Sequence, residues 1–199
     1  MLRILLQETY EVQDCHFYDT ASSEGVSKYD TPIPLQSTTT NCEITYDSTM
    51  TAYKVTDKSN SIKGIPVKNI SNLDDVTIDV DLYVRGGTSV NSVVGIFGGN
   101  ANNGFDYLLT NSTSYAFAKN IFTGTTQSIS LSTTIKGQQW VHLQLTITNG
   151  SVSAVFSQES TTIVSDTISI NYIPSNYGVA TGWGNNYYAW FKNLKIKAL

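Results

Sequence analysis

The chain has 199 residues, of which 14% are charged and 40% hydrophobic, and its formal net charge at pH 7 is -4. This length suffices for one large β domain with its own core, while the low charged fraction, against about 25% in an average domain, is unusual for a cytosolic enzyme. The negative net charge gives no electrostatic reason to bind nucleic acid or an anionic membrane.

The first thirty residues show less β-strand character than the rest of the chain. "MLRILLQETY" has an apolar stretch of three residues, far shorter than the roughly 7 to 15 of a secretory signal, and no run approaches a membrane span. We therefore expect a mature fragment, a protein secreted by another route, or one that leaves the cell inside an assembled particle, without membrane insertion. We assign residues 1–30 to an N-terminal arm or linker, the expected assembly contact, and residues 31–199 to one sandwich domain.

Alternation of apolar and polar residues with period two recurs along the remaining chain, and no segment shows a convincing helical stripe. "CEITYDSTMTAYKVTDKS" predicts a hairpin that turns near Asp47 and Ser48. Residues 76–84 predict a strand whose valine, isoleucine and leucine side chains share one face. Shorter strands are predicted at "SVVGIFGGN", "FDYLLTN", "SYAFAKN" and "TQSISLST". A further hairpin is predicted at Asn149 and Gly150, since Asn-Gly is a strong turn signal. Together they predict an all-β fold, an antiparallel β-sandwich or jelly roll.

The hydrophobic C-terminal stretch breaks strict alternation once. In "FKNLKI" the apolar residues Phe191, Leu194 and Ile196 are spaced by three and then by two. An extra residue in the strand produces this spacing, so we predict a β-bulge at Lys192 and Asn193. "WVHLQL" has the same spacing in Trp140, Leu143 and Leu145, which predicts that Trp140 is a core residue.

These two stretches resemble the concanavalin A-like lectin/glucanase superfamily, including its laminin-G-like and pentraxin-like branches. There, a strand of the form W-x-x-V-x-L precedes a hairpin and a strand of the form I-x-x-V-x-I closes the domain. The resemblance covers roughly residues 35–199 in the order of strands. It implies a jelly-roll sandwich whose final strand lies inside a sheet beside an early strand. The C-terminal run would then be half buried, with Lys192, Lys195 and Lys197 pointing outward.

The sequence has little that suggests catalysis. Glucanases of this superfamily carry an E-x-D-x-x-E strand motif, because a retaining mechanism needs two carboxylates about 5 Å apart. Here only Asp79 and Asp81 share a strand face, without a nearby glutamate, and we interpret them as polar residues of a solvated sheet. No G-x-S-x-G motif, cysteine–histidine pair or phosphate-binding loop occurs either. Cys15 and Cys42 could form one disulfide, but we expect two idle thiols. We expect no enzyme activity.

Lectins of the superfamily often hold calcium in loops beside the sugar site. "NANNGFD" provides hard oxygen ligands but only one formal negative charge, so a calcium site here would be weak. The alternative is a polar turn built from asparagine and glycine. We therefore expect no cofactor, and the residues that calcium would use are Asn100, Asn102, Asn103 and Asp106.

Sugar binding usually needs an exposed aromatic ring together with a few amides or carboxylates. "GWGNNYYAW" concentrates both, and its candidate glycan-binding residues are Trp183, Asn185, Asn186, Tyr187 and Tyr188. The alternative is a turn whose aromatic residues cap the core. On alternation we expect Trp190 and one of the two tyrosines to point inward.

A polar, weakly charged composition and a lectin-like strand pattern favour a non-catalytic virion surface or tail-fibre module that attaches to host-cell glycans. The same features suit a purely structural virion protein that uses its sandwich for subunit contacts. A carbohydrate-binding or adhesin module of a secreted cell-surface protein is the third alternative. We expect a virion or extracellular location, other virion subunits as partners, no nucleic acid, and a homo-oligomer, a trimer by analogy with fibre proteins.

Overall fold

The computed structural model describes residues 15–35, 40–59, 61–84, 93–100, 102–110, 117–121, 125–130, 138–148, 150–182 and 187–199. In residues 117–121 and 125–128 it gives the backbone alone. Strands account for most of these ranges, with a short 3-10 helix at Gly25–Lys28 and no α-helix. Within them, no helix has the length and hydrophobicity needed to cross a membrane.

The strands form two antiparallel sheets stacked as a sandwich. The eight-stranded sheet contains, in spatial order, β13 (Thr161–Ser169), β12 (Ser151–Gln158), β11 (Val141–Thr148), β6 (Val76–Val84), β15 (Tyr187–Ala198), β4 (Ala52–Asp57) and β3 (Cys42–Asp47), with β1 (Cys15–Asp19) also pairing with β15. The seven-stranded sheet contains β10 (Thr125–Ile129), β9 (Phe117–Ile121), β8 (Gly104–Thr110), β7 (Val93–Gly99), β14 (Tyr177–Gly182), β5 (Lys63–Pro66) and β2 (Ile33–Pro34). The predicted all-β antiparallel sandwich is confirmed.

The main core lies between the two sheets because the strands alternate apolar and polar residues. In β6 every second residue, from Val76 to Val84, is at most 5% exposed, while the residues between them are half buried. β11 and β12 follow the same rule. Apart from Gln158 at the end of β12, the polar residues of these three strands therefore lie on the outer face of the eight-stranded sheet, away from the other sheet.

The predicted hairpins are present. β3 and β4 are joined by a turn at residues 48–51, and β11 pairs with β12 across the predicted Asn-Gly turn. Gly150 has a φ of +73°, a left-handed backbone that glycine adopts without strain. Asn149 lies outside the described residues.

The final strand lies inside the sheet, as the resemblance implied, with β6 on one side and β4 and β1 on the other. Its pairing with β6 shifts between Lys192 and Lys195, so that Asn193 and Leu194 together oppose Val80. Asn193 has a φ of 55°. The bulge predicted at this position is confirmed, and the half-buried lysines project from the outer face of the sheet.

The similar spacing in "WVHLQL" does not produce a bulge. The pairing of β11 with β6 is continuous from Val141 to Ile147. Val141 is the inward residue, at 1% exposed, so Trp140 lies half buried on the outer face. The prediction that Trp140 is a core residue is therefore wrong.

Residues 15–30, which the sequence assigned to the arm, pack on the sandwich. β1 pairs with the end of β15, and Tyr29 forms a bridge with Val67 and is 4% exposed. The first fourteen residues lie outside the described ranges. Cys15 and Cys42 are free thiols, as expected.

A buried ion pair marks the point where the chain passes between the sheets. Asp57 ends β4 in one sheet and Lys63 begins β5 in the other, and their side chains are 1% and 0% exposed. The Lys63 ammonium donates to the Asp57 carboxylate and to the backbone carbonyls of Ser59 (2.6 Å) and Ser61 (2.7 Å). All three ammonium protons thus have an acceptor, which offsets part of the cost of burying the charge.

Replacing Lys63 by methionine leaves the Asp57 carboxylate buried without its counter-ion. We expect Lys63→Met to lower the free energy of unfolding by about 3–5 kcal/mol in urea denaturation. The matched control is Lys58→Met, because Lys58 pairs with Glu43 at 2.6 Å on the surface, with side chains 40% and 50% exposed, and should contribute about 1 kcal/mol or less. Equal effects of the two substitutions would contradict a structural role for the buried pair.

Candidate functional site

The predicted glycan-binding stretch is described only in part. Trp183, Asn185 and Asn186 lie outside the described residues, whereas Tyr187 and Tyr188 begin β15 and are half buried. The Tyr188 ring lies 5.1 Å from the ring of Trp190, centroid to centroid. The described end of the predicted site therefore continues into the outer face of the eight-stranded sheet.

Four aromatic side chains form a row across this outer face, and we call them the aromatic row: Tyr83, Trp140, Tyr188 and Trp190. Sheet register places three of them side by side, since Trp190 pairs with Tyr83, and Trp140 directly precedes the residue that pairs with Leu82. Tyr188 extends the row along β15, two residues before Trp190. The ring centroids of Trp140 and Tyr83 are 5.4 Å apart, and those of Tyr83 and Trp190 are also 5.4 Å apart. All four side chains are half buried, so each keeps part of its surface accessible.

Trp190 points outward, and the prediction that it points inward is wrong. Its neighbours Ala189 and Phe191 are both 0% exposed and occupy the inward positions, where Phe191 lies 5.2 Å from the Tyr53 ring. The indole N–H of Trp190 donates a hydrogen bond of 2.9 Å to the Asp47 carboxylate. That bond is the main reason why the pKa of Asp47 lies below its usual value. The bond also fixes the orientation of the indole on the sheet.

A second set of side chains lies beside the aromatic row, and we call it the histidine–aspartate cluster: Asp79, Asp81, His142, Gln144 and Asn193. It is displaced from the row by two residues along β6 and β11, about 7 Å. His142 Nδ1 lies 2.9 Å from Asp81 and Nε2 lies 3.4 Å from Asp79. Gln144 donates to Asp79 at 2.9 Å, and Asn193 donates to Asp81 at 2.7 Å. The bulge in β15 thus directs the Asn193 amide toward Asp81.

The imidazole and the two carboxylates of the cluster stabilise one another's charged forms. Hydrogen bonds to Asp79 and then to Asp81 raise the pKa of His142 from 6.5 to about 9. Partial burial would raise the pKa of each aspartate, but the hydrogen bonds from His142 and from an amide outweigh it, and both pKa values are lowered. At neutral pH the cluster therefore holds an imidazolium between two carboxylates.

This arrangement does not suit a retaining glycosidase. Such an enzyme needs one carboxyl group whose pKa is raised, so that it can protonate the leaving group. The pKa values of Asp79 and Asp81 are both lowered, and His142 already bridges them. The cluster is instead suited to holding fixed hydrogen-bond donors and acceptors at a partly exposed surface, since the His142 side chain is 43% exposed.

Two lysines lie over the ends of the aromatic row. The Lys192 ammonium is 4.1 Å from the centroid of the Trp140 ring, and the Lys54 ammonium is 4.0 Å from that of Tyr188. At an exposed site each such cation–π contact is worth about 0.5–1 kcal/mol. The two contacts keep positive charge close to both ends of the row.

The residues predicted for calcium lie in the turn between β7 and β8 and in β8 itself. The Asn100 side-chain oxygen accepts the backbone N–H groups of Asn102 (2.9 Å) and Asn103 (3.1 Å), and its amide donates to Ser175 at 3.0 Å. Asp106 lies within β8 and is 0% exposed. Within the described ranges, no three His, Cys, Asp or Glu side chains are grouped to hold a metal ion. Calcium binding by this turn stays a prediction.

No protein-family model matches this sequence, and no curated protein matches it either. Several solved structures are similar to it. The VIP36 exoplasmic/lumenal domain in its Ca2+/Man-bound form has a TM-score of 0.58 and 10% identity, over 85% of this chain and 90% of that chain. A legume lectin-like domain from Entamoeba histolytica has a TM-score of 0.59 and 10% identity, over 92% and 96%. A xylan β-1,4-xylosidase from Bacillus halodurans C-125 has a TM-score of 0.57 and 12% identity, over 77% of this chain and 34% of that chain.

At these identities the similarity concerns the fold. Legume-lectin-like sandwiches are among the similar structures, which agrees with the concanavalin A-like architecture expected from "FKNLKI" and "WVHLQL". Neither the aromatic row nor the histidine–aspartate cluster follows from that architecture alone.

The cluster makes stability depend on pH in a defined direction. Because the pKa of His142 is raised, the charged imidazolium contributes fully to the free energy of unfolding below pH 6.5. This contribution declines as the pH rises and is lost above about pH 9. We expect the free energy of unfolding of wild type to exceed that of His142→Gln by about 1 kcal/mol or less at pH 6, because the pair is surface-exposed. This difference should vanish by pH 10.

Urea unfolding between pH 6 and pH 10 measures this difference. Thr146→Ala is the matched control, since Thr146 faces outward on the same strand and does not titrate. An NMR titration of the two histidines, with His142→Gln identifying the resonance, gives the pKa directly. A His142 pKa near 6.5 would contradict the bridging geometry.

Proposed function

We propose that this protein is a non-catalytic glycan-binding module that acts outside the cell, with the outer face of the eight-stranded sheet as its binding surface. One observation carries the proposal: four partly exposed aromatic rings lie in a row beside a row of fixed hydrogen-bonding groups. Sugar rings have apolar faces and polar rims, so they need both kinds of surface next to each other.

The aromatic row provides the apolar part. Successive ring centroids from Trp140 to Tyr188 are 5.1–5.4 Å apart, and Trp190 lies nearly perpendicular to Tyr83 (85°) and to Tyr188 (86°). The row therefore offers ring faces and edges over more than one sugar unit. The rings brace one another and Trp190 is held by Asp47, so little side-chain entropy is lost when a ligand binds. Trp183, Asn185, Asn186 and Tyr187 stay candidate members of the site from the sequence alone, and Tyr187 lies on the same side of β15 as Ala189 and Phe191.

The histidine–aspartate cluster provides the polar part. Its internal hydrogen bonds hold the carboxylates, the imidazolium and two amides in place before a ligand arrives. Sugar hydroxyls can donate to the remaining lone pairs of the carboxylates and accept from the second amide N–H of Gln144, an exposed member of the cluster. Both N–H groups of His142 already face Asp79 and Asp81. Pre-organised polar groups give specificity, because a sugar with a misplaced hydroxyl leaves them without a partner.

The extracellular setting is supported by composition and by the similar folds. The charged fraction of 14% matches the polar, uncharged surfaces of adhesins and virion proteins. Among the proteins of similar fold are the VIP36 exoplasmic/lumenal domain, in a Ca2+/Man-bound form, and a legume lectin-like domain. We propose further that the module is part of a virion surface or tail fibre, as an oligomer with other virion subunits, and attaches to host-cell glycans.

A glycan array with the purified protein tests the proposal. We expect specific binding that weakens at least tenfold in Trp190→Ala and in Tyr83→Ala, since central aromatic anchors usually contribute more than about 1.4 kcal/mol. Ile173→Ala is the control, because Ile173 is an exposed large hydrophobic residue, 52% exposed, in the segment that connects β13 and β14 rather than on the outer face. Circular dichroism confirms that each variant is folded.

The array is run with calcium and with a chelator, which tests the asparagine turn at the same time. Binding that survives in Trp190→Ala and Tyr83→Ala would place the sugar elsewhere on the protein. If no glycan binds at all, the proposal fails, and the structural alternative, in which the sandwich serves subunit contacts, takes its place.

A further inference from the structure

The outer face of the eight-stranded sheet is locally basic although the whole chain has a net charge of -4. Four half-buried lysines project from this face. Lys54 and Lys192 lie beside the aromatic row, whereas Lys195 and Lys197 lie farther along β15, opposite Asp79 and Thr77 in the register. The raised pKa of His142 adds a further positive charge at neutral pH. Against these stand the carboxylates of Asp47, Asp79 and Asp81, while the carboxylate of Glu43 on β3 is paired with Lys58. This surface therefore differs in sign from the protein as a whole.

The carboxylates of this surface are already engaged. Asp47 accepts the Trp190 indole N–H and the backbone N–H groups of Thr49 (3.0 Å) and Met50 (3.2 Å). Asp79 and Asp81 accept hydrogen bonds from His142 and from neighbouring amides. Their negative charge is thus largely balanced within the protein, because donors and an imidazolium surround it.

The two lysines at the ends of the row lie close enough to two of these carboxylates to interact with their charge, Lys54 with Asp47 and Lys192 with Asp81. Within the described residues, Lys54 and Lys192 form no ion pair with a carboxylate. Each ammonium instead lies in contact with the face of an aromatic ring, 4.0 Å from the Tyr188 centroid for Lys54 and 4.1 Å from the Trp140 centroid for Lys192. A lysine held only by an exposed cation–π contact can turn toward an anion at small cost, since its flexible stem keeps the charge near water. These ammonium groups are therefore available to a ligand.

We propose that the glycan bound by the aromatic row is anionic, with its rings on Tyr83 and Trp190 and its acidic groups at Lys54 and Lys192. This rests on the proposed function. The acidic groups are carboxylates, as in a uronic acid chain, or sulfates, as both place negative charge at the rim of a sugar ring. A ligand of this kind is complementary to the surface in shape and charge, while the negative remainder of the protein repels it.

The placement of the lysines also bears on ligand length. Lys192 lies at the Trp140 end of the row and Lys54 at the Tyr188 end, with two further rings between them. One sugar cannot reach both ammonium groups while it lies on the central rings. The ligand is therefore a polymer or oligomer with acidic groups on more than one unit.

Affinity electrophoresis and calorimetry test this with four probes: polygalacturonate, dextran sulfate, neutral dextran and single-stranded DNA of similar chain charge. We expect an acidic polysaccharide to bind wild type, and the Lys54→Gln, Lys192→Gln double variant to bind it at least tenfold more weakly. Affinity should also fall as salt concentration rises, because screening weakens the ammonium contacts. The matched control is Lys68→Gln, an exposed lysine whose ammonium donates to the Ser27 carbonyl elsewhere on the protein.

The outcomes separate this inference from the proposed function. Selective binding of polygalacturonate or of dextran sulfate identifies the acidic group. If neutral glycans bind as well as acidic ones and the double variant is unaffected, the anionic ligand is wrong while glycan binding stands. Equal binding of DNA, or acidic binding that survives in Trp190→Ala, would show a general polyanion surface and overturn the inference. If no glycan on the array binds and none of the polymers binds, both the anionic ligand and the proposed glycan-binding function are wrong.

Discussion

One buried ion pair fixes the crossing of the chain between the two sheets. The chain leaves the eight-stranded sheet at Asp57 and enters the seven-stranded sheet at Lys63, and these two side chains meet in the interior with the carbonyls of the connecting segment around them. An unpaired charge at this depth would cost several kcal/mol, so the crossing has one favourable geometry. That geometry sets the end of β4, whose neighbour β15 carries half of the aromatic row.

Strand alternation explains why this face can carry a binding surface at all. The inward residues of β6 and β11 fill the core, so the outward positions contribute little to it and are free to hold aspartates, a histidine and aromatic rings. Because antiparallel pairing places residues of three strands side by side, residues distant in the chain, such as Asp81, His142 and Asn193, meet at hydrogen-bonding distance. Strand register, rather than a loop, brings the residues of this surface together.

Much of the fold could be predicted from alternation and turn residues, because these act locally. The face of Val76 to Val84, the Asn-Gly hairpin and the bulge after Lys192 all follow from spacing within one segment. The outward positions of Trp140 and Trp190 could not be predicted in this way. "YYAWF" and "WV" are apolar throughout, so the sequence does not show which of their residues face the core. Pairing with other strands decides this by placing Phe191 and Val141 inward. The Asp57–Lys63 pair was missed because charged residues are rarely fully buried.

The extra residue at Asn193 also changes which alternate residues of β15 face the solvent. Before it, the even-numbered residues Trp190 and Lys192 point outward, and after it the odd-numbered Lys195 and Lys197 do. The inward residues of β15 are odd-numbered before the bulge and even-numbered after it. The extra residue compensates for this change, so that all twelve residues of the strand keep one apolar side. Loss of a single residue here would turn the basic end of the strand into the core, so this position tolerates substitution far better than deletion.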